Sequence, residues 1–285
     1  MTLLSSSSIK FGRLTVYFTN VKTALSRSGL PDLDYALNPY AGCSFGCIYC
    51  YARLYTSDRR ASERWGEVVI VKSNIVKVLG REARRMPRGV VGLGTITDGY
   101  QVVESIFKLT RKSLETLIGE GFHVSVQTKS PMVLRDLDIL ATGGGKVDVG
   151  LTITTLKPEI AELIEPHAPP PLARLKALKK LSEAKIKTWV FYGPIIPGLN
   201  DDLETAESIA SLSAETGSTL YYDPLRVKPF MLAEDYPLRE AALKAKSREF
   251  LEGIEAIIKR LCIKYGLECR KGFEATPLTS NMSTL

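Results

Sequence analysis

The chain has 285 residues, 45% of them apolar, with 38 Lys and Arg against 31 Asp and Glu and a net charge of +7 at neutral pH. That is enough chain for a sizeable buried core in an α/β domain, and no run approaches the roughly 18–20 unbroken apolar residues of a membrane span. Residues 5–8 are all serine and no positive start leads into an apolar block, so no secretory leader is expected; the expected location is the cytoplasm, where thiols stay reduced. The positive balance suits a polyanionic partner. Its densest run, 81–88, reads first as the solvated end of a helix and second as a nucleic-acid surface. Only five Asn and two Gln occur, a composition found in heat-adapted proteins.

A first strand is expected at about 34–37. From about residue 90, short β-branched runs alternate with longer amphipathic ones, the pattern of β-α units on a parallel sheet. Strands are expected at 90–97, 123–128, 147–154, 187–192 and 219–222, and helices at 103–119, 132–140, 171–184 and 203–216. In the helix at 171–184, Pro171 sits near the start, where its missing N–H costs nothing, and Leu172, Leu175, Leu178 and Leu181 are expected to form one core stripe. A long helix at about 238–265 follows, then a tail at 274–285 that is expected to be disordered or loosely docked and is a candidate to close the site. Six strands fit a barrel, and no linker or composition shift points to a second domain.

Chemistry in parallel barrels gathers at the carboxyl ends of the strands, and the polar runs of this chain fall there. The second strand leads into Thr95, Thr97, Asp98, Tyr100 and Gln101, the third into Lys129 and Ser130. The fourth leads into Thr154 and Thr155, then Glu165 and Arg174, and the fifth into residues 194–201. Asp98 either caps the next helix or faces the site. Gly198 reads as a turn that lets main chain approach a ligand closely, with Asn200 and Asp201 capping the following helix.

The first strand leads into Gly42-Cys43-Ser44-Phe45-Gly46-Cys47-Ile48-Tyr49-Cys50-Tyr51. A C-x3-C-x2-C triplet of this kind can hold three irons of a 4Fe-4S cluster through Cys43, Cys47 and Cys50, leaving the fourth iron open for chemistry. Structural zinc usually takes four tetrahedral ligands, and the two histidines, His123 and His167, lie far away in sequence. Disulfides fit less well, because five cysteines is an odd number and the triplet is too tight for ordinary pairing. Cys262 and Cys269 read as buried, inert thiols.

With its aromatic before the third cysteine, the triplet resembles the signature of the radical S-adenosylmethionine (SAM) superfamily. Asn38-Pro39-Tyr40, Asp98-Gly99-Tyr100-Gln101, Thr128-Lys129-Ser130, Glu165-Pro166 and residues 194–201 resemble the branch related to spore photoproduct lyase, often labelled DNA repair photolyase, over about 33–225. The resemblance implies a partial (β/α)6 barrel of the TIM type with an extra N-terminal segment and a C-terminal helix and tail at 238–285, all in one domain over 1–285. It also implies that SAM chelates the free iron and is split by one electron into methionine and a 5'-deoxyadenosyl radical, which abstracts hydrogen from a substrate. The electron would come from a ferredoxin- or flavodoxin-type reductant.

Carried over position by position, the resemblance sets Tyr49 near the adenine, Lys129 and Thr154 at the SAM carboxylate or ribose, and the Gly198 main chain against the adenine. Asp98 is a candidate to orient SAM or touch substrate, and Tyr51 to relay a hydrogen atom. The branch's hydrogen-donating cysteine falls on Thr95, whose hydroxyl O–H bond is too strong to replace a thiol. A nucleic acid, DNA or RNA, is the substrate that the branch and the charge favour. A small molecule or peptide is favoured by the missing cysteine, and a non-catalytic, metal-stabilised nucleic-acid-binding module is the alternative from another class.

Overall fold

The computed structural model describes residues 8–272 and residue 274, so most of the tail at 274–285 lies outside the described residues. Its strands are β1 (Ser8–Phe11), β2 (Leu14–Thr19), β3 (Leu25–Arg27), β4 (Tyr35–Leu37), β5 (Tyr40–Ala41), β6 (Val68–Lys72), β7 (Val90–Leu93), β8 (His123–Thr128), β9 (Val147–Thr152), β10 (Lys187–Ile195), β11 (Thr219–Pro224) and β12 (Cys269–Lys271). Its helices are α1 (Arg59–Glu63), α2 (Ile75–Ala83), α3 (Glu104–Phe107), α4 (Leu109–Gly119), α5 (Leu137–Thr142), α6 (Pro158–Ile164), α7 (Pro171–Glu183), α8 (Leu203–Glu215), α9 (Arg239–Lys244) and α10 (Arg248–Tyr265).

The six expected strands form the parallel run β11-β10-β9-β8-β7-β4 of the larger sheet, which makes the fold a partial barrel of the TIM type. β12 extends one edge in parallel and β3 closes the other antiparallel. Alternation along β8 shows how the sheet is held. Val124 and Val126 are fully buried in the main core with Leu114, Leu117 and Leu140 of the helices. Ser125, on the opposite face, donates to Asp148, which also accepts from the Trp189 indole across the neighbouring strands. A second sheet, β1-β2-β6-β5, was not expected from the β-α period. Of its two inner strands, β6 is the β-branched run Val68-Val69-Ile70-Val71, buried throughout.

Several boundaries differ from expectation for identifiable reasons. The strand expected at 90–97 stops at Leu93, because Gly94 turns at φ +88° and sends Thr95 and Thr97 toward the cysteine loop. The helix expected at 103–119 breaks at Lys108, which adopts φ +51°. There the buried Glu104 carboxylate accepts from the Thr110 and Arg111 amides, capping the new helix as an N-terminal carboxylate does. The helix expected at 132–140 starts as a 3-10 turn, Pro131–Asp136, and becomes α-helical only in α5. The helix expected at 238–265 is two helices, α9 and α10, the second opened by Ser247 accepting from the Phe250 amide.

The leucine stripe of α7 is corrected as well: Leu178 and Leu181 are buried, Leu175 is partly buried and Leu172 is 59% exposed. Steps of three residues drift about 60° per step around a helix of 3.6 residues per turn, so Leu172 ends opposite Leu181. The buried face instead carries Arg174, Ala177, Leu178 and Leu181.

Cys262 and Cys269, expected as buried free thiols, are joined in a disulfide and are only partly buried. Gly266 ends α10 in the left-handed conformation, and the Leu267 amide returns to the Cys262 carbonyl at 2.9 Å. This reversal brings the two Cα atoms to 6.1 Å, within disulfide range. Among the described residues no helix is long and apolar enough to cross a membrane.

Candidate active site

The chain leaves β4, pairs briefly with β6 as β5, and turns at Gly42 into the cysteine loop. Gly42 sits at φ +78°, and a Cβ there would stand 2.4 Å from the Val68 carbonyl oxygen, so both conformation and space require glycine. The loop is then tied down by its backbone. The Gly42 carbonyl accepts from Thr97 Oγ1 at 2.6 Å and Gln101 Nε2 at 3.2 Å, and the Ser44 amide donates to Gln101 Oε1 at 2.8 Å. The Arg13 guanidinium donates to the Ser44 and Gly66 carbonyls. On the far side the Ile48 amide donates to the Ile164 carbonyl at 3.1 Å and the His167 amide to the Phe45 carbonyl at 3.2 Å.

Cys43 and Cys47 are 8% and 6% exposed, and Cys50 is partly exposed. Burial pushes all three thiols up, and the charge of neighbouring cysteines adds to this at Cys43 and Cys47; Cys47 reaches about 12 although Lys129 opposes the rise. Thiolates packed this closely need a bound cation to exist. Among the described residues, no three His, Cys, Asp or Glu side chains converge on the position of a single ion. Three thiol sulfurs within eight residues, with no histidine among them, are the donor type that iron–sulfur clusters take.

Beside Cys47 lies a buried charge network. The Tyr49 hydroxyl donates to Glu165 Oε1, Arg174 pairs with Glu165 Oε2 at 2.5 Å, and Lys129 Nζ stands 3.8 Å from Glu165 Oε1. Lys129 is also 5.8 Å from the centre of the Tyr49 ring. Burial pushes the Glu165 carboxyl up, but Arg174 and Lys129 outweigh it and hold it below its ordinary range. Burial likewise works against the charge on Lys129, and Cys47 and Glu165 overcome it. The sequence sets Glu165 and Arg174 after the fourth strand without a role; the structure makes Glu165, with Arg174 behind it, the group that meets Tyr49 and Lys129.

Asp98 does not cap the next helix. Its Oδ1 accepts from the Tyr100 amide and Thr128 Oγ1, and its Oδ2 from the Lys129 amide at 2.8 Å, so it ties the end of β8 to the loop after β7. Burial raises its pKa despite these bonds. The Tyr51 hydroxyl donates to the Thr95 carbonyl at 2.8 Å, and the Thr95 hydroxyl accepts from Asn38 Nδ2 at 3.0 Å. Thr154 is fully buried and its hydroxyl has no hydrogen-bond partner among the described residues, an orphan of the kind a ligand satisfies.

Gly198 lies at φ +76° with open space around its Cβ position; the conformation, not a close approach within the chain, calls for glycine. Asp201 accepts from the Gly198 amide, and Asn200 braces the loop through the Ile196 amide and the Thr154 carbonyl. The cap of α8 is Asp202, accepting from the Thr205 amide at 3.0 Å, so the expectation for Asn200 and Asp201 is corrected. Arg13 had no signal in the sequence, since its partners are backbone atoms some 30 and 50 residues away. Arg174 had one: its spacing from Leu178 and Leu181 places it on the buried face of α7.

A profile of the radical SAM superfamily matches residues 37–209. An uncharacterised protein of Methanocaldococcus jannaschii is 33% identical over 189 residues, 66% of this chain and 71% of that protein. An uncharacterised protein of Mycobacterium tuberculosis is 31% identical over 220 residues, 74% of this chain and 64% of that protein, just under two thirds of its length. Among solved structures, spore photoproduct lyase complexed with dinucleoside spore photoproduct superposes with a TM-score of 0.67 at 15% identity, covering 92% of this chain and 82% of that one. Streptococcus suis SuiB bound to S-adenosylmethionine gives 0.57 at 13% identity, covering 85% and 50%. At such identities these likenesses speak for the fold. With the profile spanning more than half of the chain and its cysteine loop, the protein belongs to the radical SAM superfamily and is a radical SAM enzyme.

Proposed function

We propose that Cys43, Cys47 and Cys50 hold a 4Fe-4S cluster, that SAM docks between it and Tyr49, Lys129, Thr154 and the Gly198 turn, and that the substrate is a nucleic acid. The observation that carries this reading is a loop of three free thiols, two of them buried, with the Lys129 ammonium beside Cys47. When bound, the cluster supplies one electron to the sulfonium of SAM and so generates the 5'-deoxyadenosyl radical that takes hydrogen from substrate. Lys129 offers a charged donor to the SAM carboxylate, the orphaned Thr154 hydroxyl gives and accepts at a ribose diol, and the buried loop keeps water from the radical. Tyr51, next to Cys50 and directed at Thr95, is placed to return a hydrogen atom. Asp98 acts through the Lys129 backbone. A ferredoxin- or flavodoxin-type protein in the cytoplasm is the proposed electron source.

The rim beside the cysteine loop supports a nucleic-acid substrate. Tyr55 is 62% exposed and meets Tyr51 edge-on with centroids 5.8 Å apart. Arg53 stacks on Phe230 at 4.9 Å, with Lys228 two residues away. An exposed ring, Tyr55, close in sequence to the Arg53 guanidinium suits an unstacked base and its phosphate. Spore photoproduct lyase structures with a dinucleoside photoproduct support the same class. Thr95, standing where that branch's cysteine donor falls, favours the second reading, a small molecule or peptide. Membership of an enzyme superfamily removes the non-catalytic module.

Anaerobic reconstitution followed by dithionite and SAM is expected to yield 5'-deoxyadenosine, and Ala at any one of the three cysteines to leave less than about a tenth of the parent's iron. An intact cluster that never cleaves SAM would overturn the reading. Oligonucleotide binding is expected to weaken with a slope of about −0.7 to −0.9 per neutralised phosphate in log affinity against log salt; no salt-sensitive binding points to the small-molecule or peptide reading.

A further inference from the structure

Glu165 and Arg174 are the most deeply buried ion pair of the site, with side chains 0% and 1% exposed. A buried pair on its own is a poor stabiliser, because desolvating two charges costs about as much as their attraction returns. Its position is more informative. Glu165 directly follows α6, and on either side of it the chain is joined to the cysteine loop, by Ile48 to Ile164 and by His167 to Phe45. Its carboxylate is thereby brought to the Tyr49 hydroxyl, with Cys47 as an electrostatic neighbour. Arg174, in the first turn of α7, is itself anchored by Nε to the Pro169 carbonyl at 2.8 Å and by one terminal nitrogen to the Thr152 carbonyl at 3.2 Å, at the end of β9.

The charges add in a specific way. Arg174 neutralises Glu165 at 2.5 Å, whereas Lys129 lies at 3.8 Å, and attraction falls with distance. The three groups sum to one positive charge, and Lys129, the loosest and the only one of the three with appreciable exposure at 17%, carries it toward the cysteines.

We propose that Glu165, backed by Arg174, is a positioning residue that holds the Tyr49 hydroxyl and keeps the Lys129 ammonium on the face of the cysteine loop where a sulfonium amino acid docks, leaving that ammonium free to move onto its carboxylate. The inference rests on the cluster and SAM reading above. Without Arg174, Lys129 would be consumed as the counter-ion of Glu165. Without Glu165, two cations would repel each other beside Cys47, and the Tyr49 hydroxyl would lose its acceptor.

The test compares the reconstituted parent with Glu165→Gln and with the double variant E165L/R174M, which exchanges the pair for apolar groups and so avoids the cost of leaving one buried charge without its partner. Iron content, SAM affinity by equilibrium binding and the change that SAM causes in the electron paramagnetic resonance spectrum of the reduced cluster are measured on each. The expected result is parent-like iron content in a folded variant, SAM affinity lower by about tenfold or more, and a reduced or altered spectral response to SAM. A variant that keeps its iron, binds SAM as tightly as the parent and gives the parent's spectral change overturns the proposal. A parent protein that holds iron and fails to bind SAM overturns the underlying reading instead.

Discussion

The Tyr51 hydroxyl donates to the Thr95 carbonyl at 2.8 Å, joining the residue after the third cysteine to the loop after β7. The bond fixes the phenol against the loop after β7, at a residue whose hydroxyl is itself held by Asn38. Tyr51→Phe is expected to keep iron and SAM cleavage, to cost about 1 kcal/mol of stability, and to lower substrate product formation relative to 5'-deoxyadenosine. Product and 5'-deoxyadenosine quantified together check this; an unchanged ratio removes Tyr51 from hydrogen return.

Asp98 accepts three hydrogen bonds, two of them from Thr128 and Lys129. In Asp98→Asn one acceptor becomes a donor facing another donor, so a loss of about 1–3 kcal/mol is expected. SAM affinity should fall together with stability, because the Lys129 backbone is released. Chemical denaturation and SAM titration of the same preparation check the coupling. Weaker product formation with both quantities at parent values would instead make Asp98 a group that touches substrate.

Gly42→Ala places a Cβ against the Val68 carbonyl in a backbone conformation that L residues rarely adopt. The expected cost is about 1–3 kcal/mol or more, with a visible loss of bound iron, since the first cysteine is the next residue. An iron assay and a thermal melt suffice, and a variant with parent-like iron and melting temperature would show that the loop adjusts freely.

The disulfide between Cys262 and Cys269 closes a short loop from the end of α10 to β12. Replacing both cysteines by Ser should cost about 2–3 kcal/mol by loop-closure entropy and leave the cysteine triplet loaded with iron. A thermal melt with and without reductant on the parent, compared with the double variant, decides this. Equal melting temperatures in all three would mean that the bridge does not stabilise the fold.

The six barrel strands were legible because a strand buried against helices shows its β-branched run whatever its partners are; β8 and β9 begin where they were expected. The broken helices were not legible, because the breaks depend on distant groups. Lys108 turns left-handed where Glu104 can cap the next helix, and Glu104 is itself held by Arg135 and Tyr40. The small sheet was missed although Val68-Val69-Ile70-Val71 is a strong strand signal, because it falls outside the β-α period. The disulfide was missed because it depends on a chain reversal at Gly266.

What the amino-acid order determined by itself is local: three thiols within eight residues, the glycine turns at Gly42 and Gly198 and the alternation that makes a parallel sheet. These depend on covalent spacing and backbone sterics, which act over a few residues. Only the tertiary structure decided that Glu165 meets the Tyr49 hydroxyl, 116 positions away, that Arg174 neutralises it and that Lys129 is the more loosely paired cation. Long-range electrostatics and hydrogen bonding have no period along the chain, because they are set by which loops the barrel gathers at its open end.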